Sequence, residues 1–345
     1  MNTKELNQKY IQIIENNKGQ TLEGIRDFQR RLKEDADRFH TQPVEFLAVP
    51  KLFTGHIAAD FKKITEVMYS VLTKVIARYL EDEDYRRLFQ FDPLLERMIL
   101  SPCVYDALLP IARVDVFYNE DTGDFKFCEF NTDGSSGMAE EMDIAKGLSE
   151  NFAFYKFSKD LDVDYFDLFG GWIEEFIRIY ENSEARVEKP LFAIVDFLES
   201  AVDNEFETFR QGFEKRGYET IIADIRELRY HDGALWFGDR KIDAIYRRAV
   251  TGEIMSKKDT VPDFIQAVLE GKCCIIGHVR TQVAHVKLLF AILNMPETYA
   301  FLTEEEIAFV KKHVPFTTTL TSGNYDYNEV LHNKDKWVIK PSDLY

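Results

Sequence analysis

The chain is poor in positive charge: 43 Lys and Arg stand against 60 Asp and Glu, for a formal net charge of −17. A surface built to neutralise phosphodiesters needs clustered cations, so nucleic acid is not an expected partner. The balance is compatible with a cationic substrate such as a polyamine, but many soluble enzymes are simply acidic, and that is the better reading. No apolar run approaches the roughly 18–20 residues of a membrane span, and the start, Met1-Asn2-Thr3-Lys4-Glu5, lacks the apolar stretch of a signal peptide. Cysteine is scarce, four in 345 residues, with no Cys-x-x-Cys pair. Cys273 and Cys274 are adjacent within an apolar run, which fits buried, reduced thiols in a cytoplasmic protein rather than a redox pair. The seven histidines form neither His-x-x-x-His nor His-Glu-x-x-His, which argues against structural zinc. Gly-x-Gly-x-x-Gly and Gly-x-Ser-x-Gly are also missing, so neither dinucleotide binding nor a nucleophile elbow is expected.

What the chain does have is an apolar content of 45%, enough for a substantial core in two domains or one large composite one. Its most informative segment is residues 113–131, which reads as a β-hairpin. A three-residue loop Asp121-Thr122-Gly123, with Gly123 left-handed, sets Asp115 opposite Glu129 and Arg113 opposite Asn131. These four share one face, while Val114/Phe130 and Val116/Cys128 pair on the other. Two opposed carboxylates repel unless a cation lies between them. Asp115, Glu129 and the Asn131 oxygen form a hard donor set for a divalent metal, leaving Arg113 for an anion such as phosphate. A solvent-facing sheet surface with a cross-strand ion pair is the plainer alternative.

Around this hairpin the periodicity predicts helices over Thr21–Phe39, His56–Leu80 and from Pro93, the last capped by Asp92. The turn-rich loop 132–137 then leads into a helix from Met138. It offers backbone N–H groups to an anion, and Asp133 reads as an Asx-turn residue. Tyr165–Tyr180 is amphipathic. From residue 188 strands and helices alternate: strands at 190–196, 218–223, 235–238, 242–246 and 273–276, helices at 206–216, 261–270 and 281–293. Such alternation predicts a Rossmann-like sheet. Thr303 and Glu306 form a capping box for a helix over 302–313. Trp337–Tyr345 reads as a strand carrying Lys340, where the plain reading is a lysine snorkelling at a sheet edge.

Arg247 and Arg248 end the 242–246 strand, at the sheet edge that usually meets ligand. Adjacent strand residues face opposite ways, so one arginine serves a site and the other is a surface charge. His278, Arg280 and Lys287 follow the next strand as further substrate or phosphate candidates.

Together, Arg113-x-Asp115, Glu129-x-Asn131, the segments 242–248 and 283–287, Leu302 through Thr317, and Val338-Ile-Lys-Pro-Ser-Asp343 resemble the circularly permuted ATP-grasp family related to glutathionylspermidine synthase. The resemblance covers roughly residues 100–345. The first hundred match only as a helical lead-in. It implies an α/β (α+β overall) architecture: a helical region 1–100, a permuted ATP-grasp segment with the metal hairpin 101–187, a Rossmann-like pre-ATP-grasp domain 188–295, and the start of the nucleotide-binding lobe 296–345. It implies that Asp115, Glu129 and Asn131 hold Mg²⁺ on ATP, that Arg113 steadies the transferring phosphoryl group, and that Lys340 touches the nucleotide phosphates; Lys287 is a further cofactor-binding candidate. The implied reaction is ATP-dependent joining of a carboxylate to an amine through an acyl phosphate. A non-catalytic binding or scaffold protein of the same fold is the alternative, and a kinase-like phosphotransferase a third, weaker one. In that family the Lys-Pro-x-Asp strand runs into a glycine-rich loop over the phosphates. The sequence stops at Tyr345, before such a loop, so weak or absent nucleotide binding is expected of these 345 residues.

Overall fold

The computed structural model describes residues 1–39, 43–200, 203–319 and 326–341. The α/β class expected from the sequence is what it shows. Helices Thr3–Asn16, Lys18–Phe39 and Gly55–Glu81 come first, followed by a hairpin of β1 (Arg113–Tyr118) and β2 (Phe125–Asn131). The remaining strands are β3 (Leu191–Asp196), β4 (Glu219–Asp224), β5 (Leu228–His231), β6 (Ala234–Phe237), β7 (Arg240–Ile242), β8 (Ala244–Arg247) and β9 (Cys274–Ile276). β3, β4, β8 and β9 form a parallel sheet in the order β4-β3-β8-β9, and β5-β6-β7 form a small antiparallel sheet.

The parallel strands read as unbroken apolar runs because both faces are covered. Leu191, Ala193 and Val195 of β3 enter one core, which also holds Met68, Val71 and Ile76 of the Gly55–Glu81 helix. Phe192 and Ile194 enter a second, with Phe176 of the helix Leu168–Glu181 and Phe209 of the helix Asp203–Glu214. The vicinal cysteines obey the same alternation. Cys274 lies in the second core and Cys273 packs against the first, and burial pushes their thiols up to about 12 and 11.

The first core reaches further. It takes in Phe125, Phe127 and Phe130 of β2, Leu289 and Ile292 beyond β9, and Val310 of the helix Glu304–His313. Full burial of a phenylalanine contributes about 1.5–3 kcal/mol. The three β2 rings therefore fix the hairpin firmly against the body.

Several elements differ from expectation for local reasons. The helix predicted over Tyr165–Tyr180 begins at Leu168, because Asp167 accepts the Gly170 N–H at 2.8 Å and caps it there. The strand predicted over 242–246 is interrupted at Asp243, whose carboxylate accepts the Leu191 N–H at 2.9 Å. The helix predicted over 281–293 breaks at Val286, where the backbone turns extended with ψ 132°. Val338 and Ile339 are exposed, and Trp337–Pro341 pairs with no strand, contrary to the strand expected there; the rest of that segment, 342–345, lies outside the described residues.

Candidate functional site

The hairpin places its charged face as the alternation predicts at one end and not at the other. Arg113 lies opposite Asn131, Val114 opposite Phe130 and Asp115 opposite Glu129. Towards the turn, Val116 pairs with Phe127 rather than with Cys128. The connecting loop is longer than three residues, running Asn119–Asp124 with Gly123 at φ 74°. A bulge between Asp115 and Val116 absorbs the difference and leaves Cys128 unopposed. That extra residue also shifts the phase of β2, so Phe125, Phe127 and Phe130 are all buried. The acids stay opposed because the core pulls three rings inward.

Around the acids lie cations from distant parts of the chain. Lys287 Nζ is 2.8 Å from Glu129 Oε1. The break at Val286 positions this lysine, and Phe290 stacks on Phe130 with ring centroids 4.8 Å apart, fixing the segment to the hairpin. The Lys287 hydrogen bond holds the Glu129 carboxyl below its usual range against the effect of burial; the charges of Lys287, Lys340 and His285 act the same way. Lys340 Nζ reaches 3.7 Å from the Cys128 thiol, so this lysine, though not on a strand, is at the hairpin. Arg113 Nε lies 3.3 Å from Asp115 Oδ1, and its Nη1 donates to the Ser136 carbonyl at 3.3 Å. Asn131 is buried, and its amide nitrogen has no partner among the described residues.

Could these residues hold a divalent metal? Among the described residues no group of three or more His, Cys, Asp or Glu side chains converges on one point. The hairpin set is two carboxylates plus an amide, all oxygen donors of the kind hard cations take. The unpartnered atom of Asn131 is its amide nitrogen, a donor that a cation does not satisfy; its oxygen is the atom that would join the two acids as a hard donor. The donor chemistry fits Mg²⁺.

Behind the hairpin lies a second tier that the sequence reading placed differently. Asp133 is no Asx-turn residue. It is buried, with Oδ1 2.5 Å from Arg247 Nη2 and Oδ2 accepting the Thr251 N–H at 2.6 Å. Arg247 also donates to the carbonyls of Gly277 and Ala249. Arg248, far from being a surface charge, is buried with Nη2 2.8 Å from Glu205 Oε2, its guanidinium over Phe206 and Tyr246. The anion site expected at the loop before Met138 is filled from within: Glu205 Oε1 accepts the Gly137 N–H at 2.9 Å. Gly134, at φ 64°, lies so near that a Cβ there would come 2.6 Å from the Arg248 carbonyl.

His278 and Arg280 form a separate buried group. His278 Nδ1 accepts from the Arg280 backbone at 3.2 Å, its Nε2 lies 3.3 Å from Ser101 Oγ, and Arg280 Nη2 donates to the Ser101 carbonyl at 3.2 Å. Burial, then the charges of Arg280 and Arg247, drive the His278 pKa well down, so the ring is neutral. Both residues brace the chain at Ser101. Sequence reasoning missed Glu205 and Asp196, and it gave Asp133 only a turn role. Burial pushes Asp196, at the end of β3, up to about 6 against the Phe197 N–H and the charge of Arg248. An acid closing an apolar strand was its one visible signal.

A cleft of about 440 Å³ is lined among others by Gln90, Phe91, Thr251, Met255, Val286 and Leu288; neither Lys287 nor the hairpin acids line it. Gln90 is held at φ 53°, a conformation costly for a non-glycine residue. Among the described residues no helix is long and apolar enough to cross a membrane.

No family model matches the sequence, and no curated protein matches it. Solved structures do. A glutathione synthetase-like effector from Globodera pallida, in its apo form, superposes with a TM-score of 0.57 at 10% identity, over 90% of this chain and 78% of that one. The chain shares its fold with that protein, and at that identity the likeness is one of fold alone. Within this fold, the acid-bearing hairpin and the parallel sheet are joined through Asp133–Arg247.

Proposed function

We propose that this chain is an ATP-dependent carboxylate–amine ligase of the permuted ATP-grasp type, related to glutathionylspermidine synthase. One observation carries the reading: an opposed acid pair, Asp115 and Glu129, with Asn131 on the same hairpin and Arg113, Lys287 and Lys340 around it, on a glutathione synthetase-like fold. Phosphoryl transfer needs positioning and charge neutralisation more than covalent help, and this wall is made of both. Mg²⁺, held by Asp115, Glu129 and Asn131, would supply neutralisation of the ATP phosphates. Arg113, braced by the Ser136 carbonyl, steadies the γ-phosphoryl group as it moves to a substrate carboxylate. Lys340 and Lys287 hold the remaining phosphate oxygens. An amine then displaces phosphate from the acyl phosphate and leaves an amide.

The second reading, a non-catalytic binding or scaffold protein of this fold, is favoured by one feature. Each hairpin acid already has a cationic partner, Glu129 with Lys287 and Asp115 with Arg113. Calorimetry with MgATP separates the two. The ligase reading expects binding, weak for these 345 residues, that Asp115→Asn and Glu129→Gln each abolish, together with amine-dependent release of ADP. Heats indistinguishable from dilution would refute it and leave the non-catalytic reading.

A further inference from the structure

Resting on the metal-binding reading of the hairpin, we infer that the Lys287 ammonium is the resident counter-ion of Glu129, and that a divalent cation enters only by displacing it. Three observations lead there. Lys287 Nζ already sits 2.8 Å from Oε1 of Glu129, a carboxylate the metal would need. Lys340 also bears on the same acid, so a doubly charged ion added to this group would meet repulsion unless one cation withdrew. Finally, the helix is broken at Val286 just ahead of the lysine, while Phe290, three residues beyond it, is clamped on Phe130.

The backbone is thus pinned next to the acid, and the movable part is a four-carbon stem with a compact charge at its tip. Lys287 can exchange its carboxylate for a phosphate oxygen without moving the segment that carries it. The exchange favours a metal that arrives with phosphate over a free metal, since only the former offers the displaced ammonium a new anion. Lys287 is therefore a specificity-determining residue: it holds the hairpin closed to bare cations and opens it to a metal–phosphate pair.

The test is Mn²⁺ binding, followed by electron paramagnetic resonance of the unbound ion, on the wild-type chain, Lys287→Met, Lys287→Gln and Glu129→Gln. Removing the competing charge in either lysine variant is expected to tighten binding of bare Mn²⁺ by roughly tenfold or more, the scale of a lost repulsion between close, partly buried charges. Glu129→Gln is expected to abolish it. Unchanged or weaker Mn²⁺ binding in both lysine variants, with binding still lost in Glu129→Gln, would overturn the displacement while leaving the metal site standing. No Mn²⁺ binding in either lysine variant would overturn the metal site and the displacement with it.

Discussion

Replacing Asp133 with alanine strands a positive charge in the protein interior. The Arg247 side chain is 0% exposed and that of Asp133 1%. In the variant, Arg247 keeps the Gly277 and Ala249 carbonyls and the Thr251 hydroxyl but loses its only charged partner among these contacts. The Thr251 N–H loses its acceptor as well. Breaking a buried pair from one side costs about 3–5 kcal/mol, mostly because the survivor stays buried and uncompensated. With an unfolding entropy near 2.1 cal/mol/K per residue, that loss over a chain of this length is a fall in Tm of about 4–7 °C. Urea denaturation followed by circular dichroism, together with a melting curve, reads both numbers. The double variant Asp133→Ala/Arg247→Met removes the stranded charge and is expected to recover about half of the loss or more. A single variant within 1 kcal/mol of wild type, or a double variant less stable than the single one, would refute the reasoning.

Three further outcomes are expected. Glu306 accepts the Thr303 N–H at 2.8 Å, pairs with Lys74 at 2.7 Å and accepts from Ser70 at 2.8 Å, so Glu306→Ala should lower stability by about 2–3 kcal/mol in urea, combining a lost cap with lost charged hydrogen bonds. Hydrogen bonds from Arg226 hold the Asp224 carboxyl down to about 2 from its ordinary 3.8, against the effect of burial. Its contribution to stability is therefore complete above pH 3.8 and lost as pH falls towards 2. Asp224→Asn should accordingly differ from wild type in urea midpoint at pH 6 and converge with it near pH 2. At the hairpin, Glu129→Gln should remove MgATP binding, and a calorimetric titration of that variant matching wild type would rule out its role as a ligand.

How much of this could be seen in the sequence depends on the range of the interaction. The capping box of Thr303 and Glu306 is local chemistry, three residues apart, and it is present as expected. The opposition of Asp115 and Glu129 was visible too, because alternation and a glycine turn are also local. The bulge at Cys128 was not, since it answers to the demand that three phenylalanines of β2 face one core. The break at Val286 was hidden by burial: Val283, Ala284, Val286, Leu289, Phe290 and Ile292 are all inside, so the helical period had no polar side to show it. Asp133 and Arg247 lie 114 residues apart, and each alone reads as an ordinary loop or strand-end charge. Lys340 reached the site without the strand expected to carry it.

The first core has a consequence for how the molecule comes apart. It draws side chains from the Gly55–Glu81 helix, the hairpin, the parallel sheet and the Glu304–His313 helix into one contiguous interior. A cut in any connecting loop severs the chain but not this interior, so nicked pieces hold together as a complement of interlocking parts. Expressed singly, each piece would bring an apolar face with nothing to close it. The hairpin is thus inseparable from the body that shapes it.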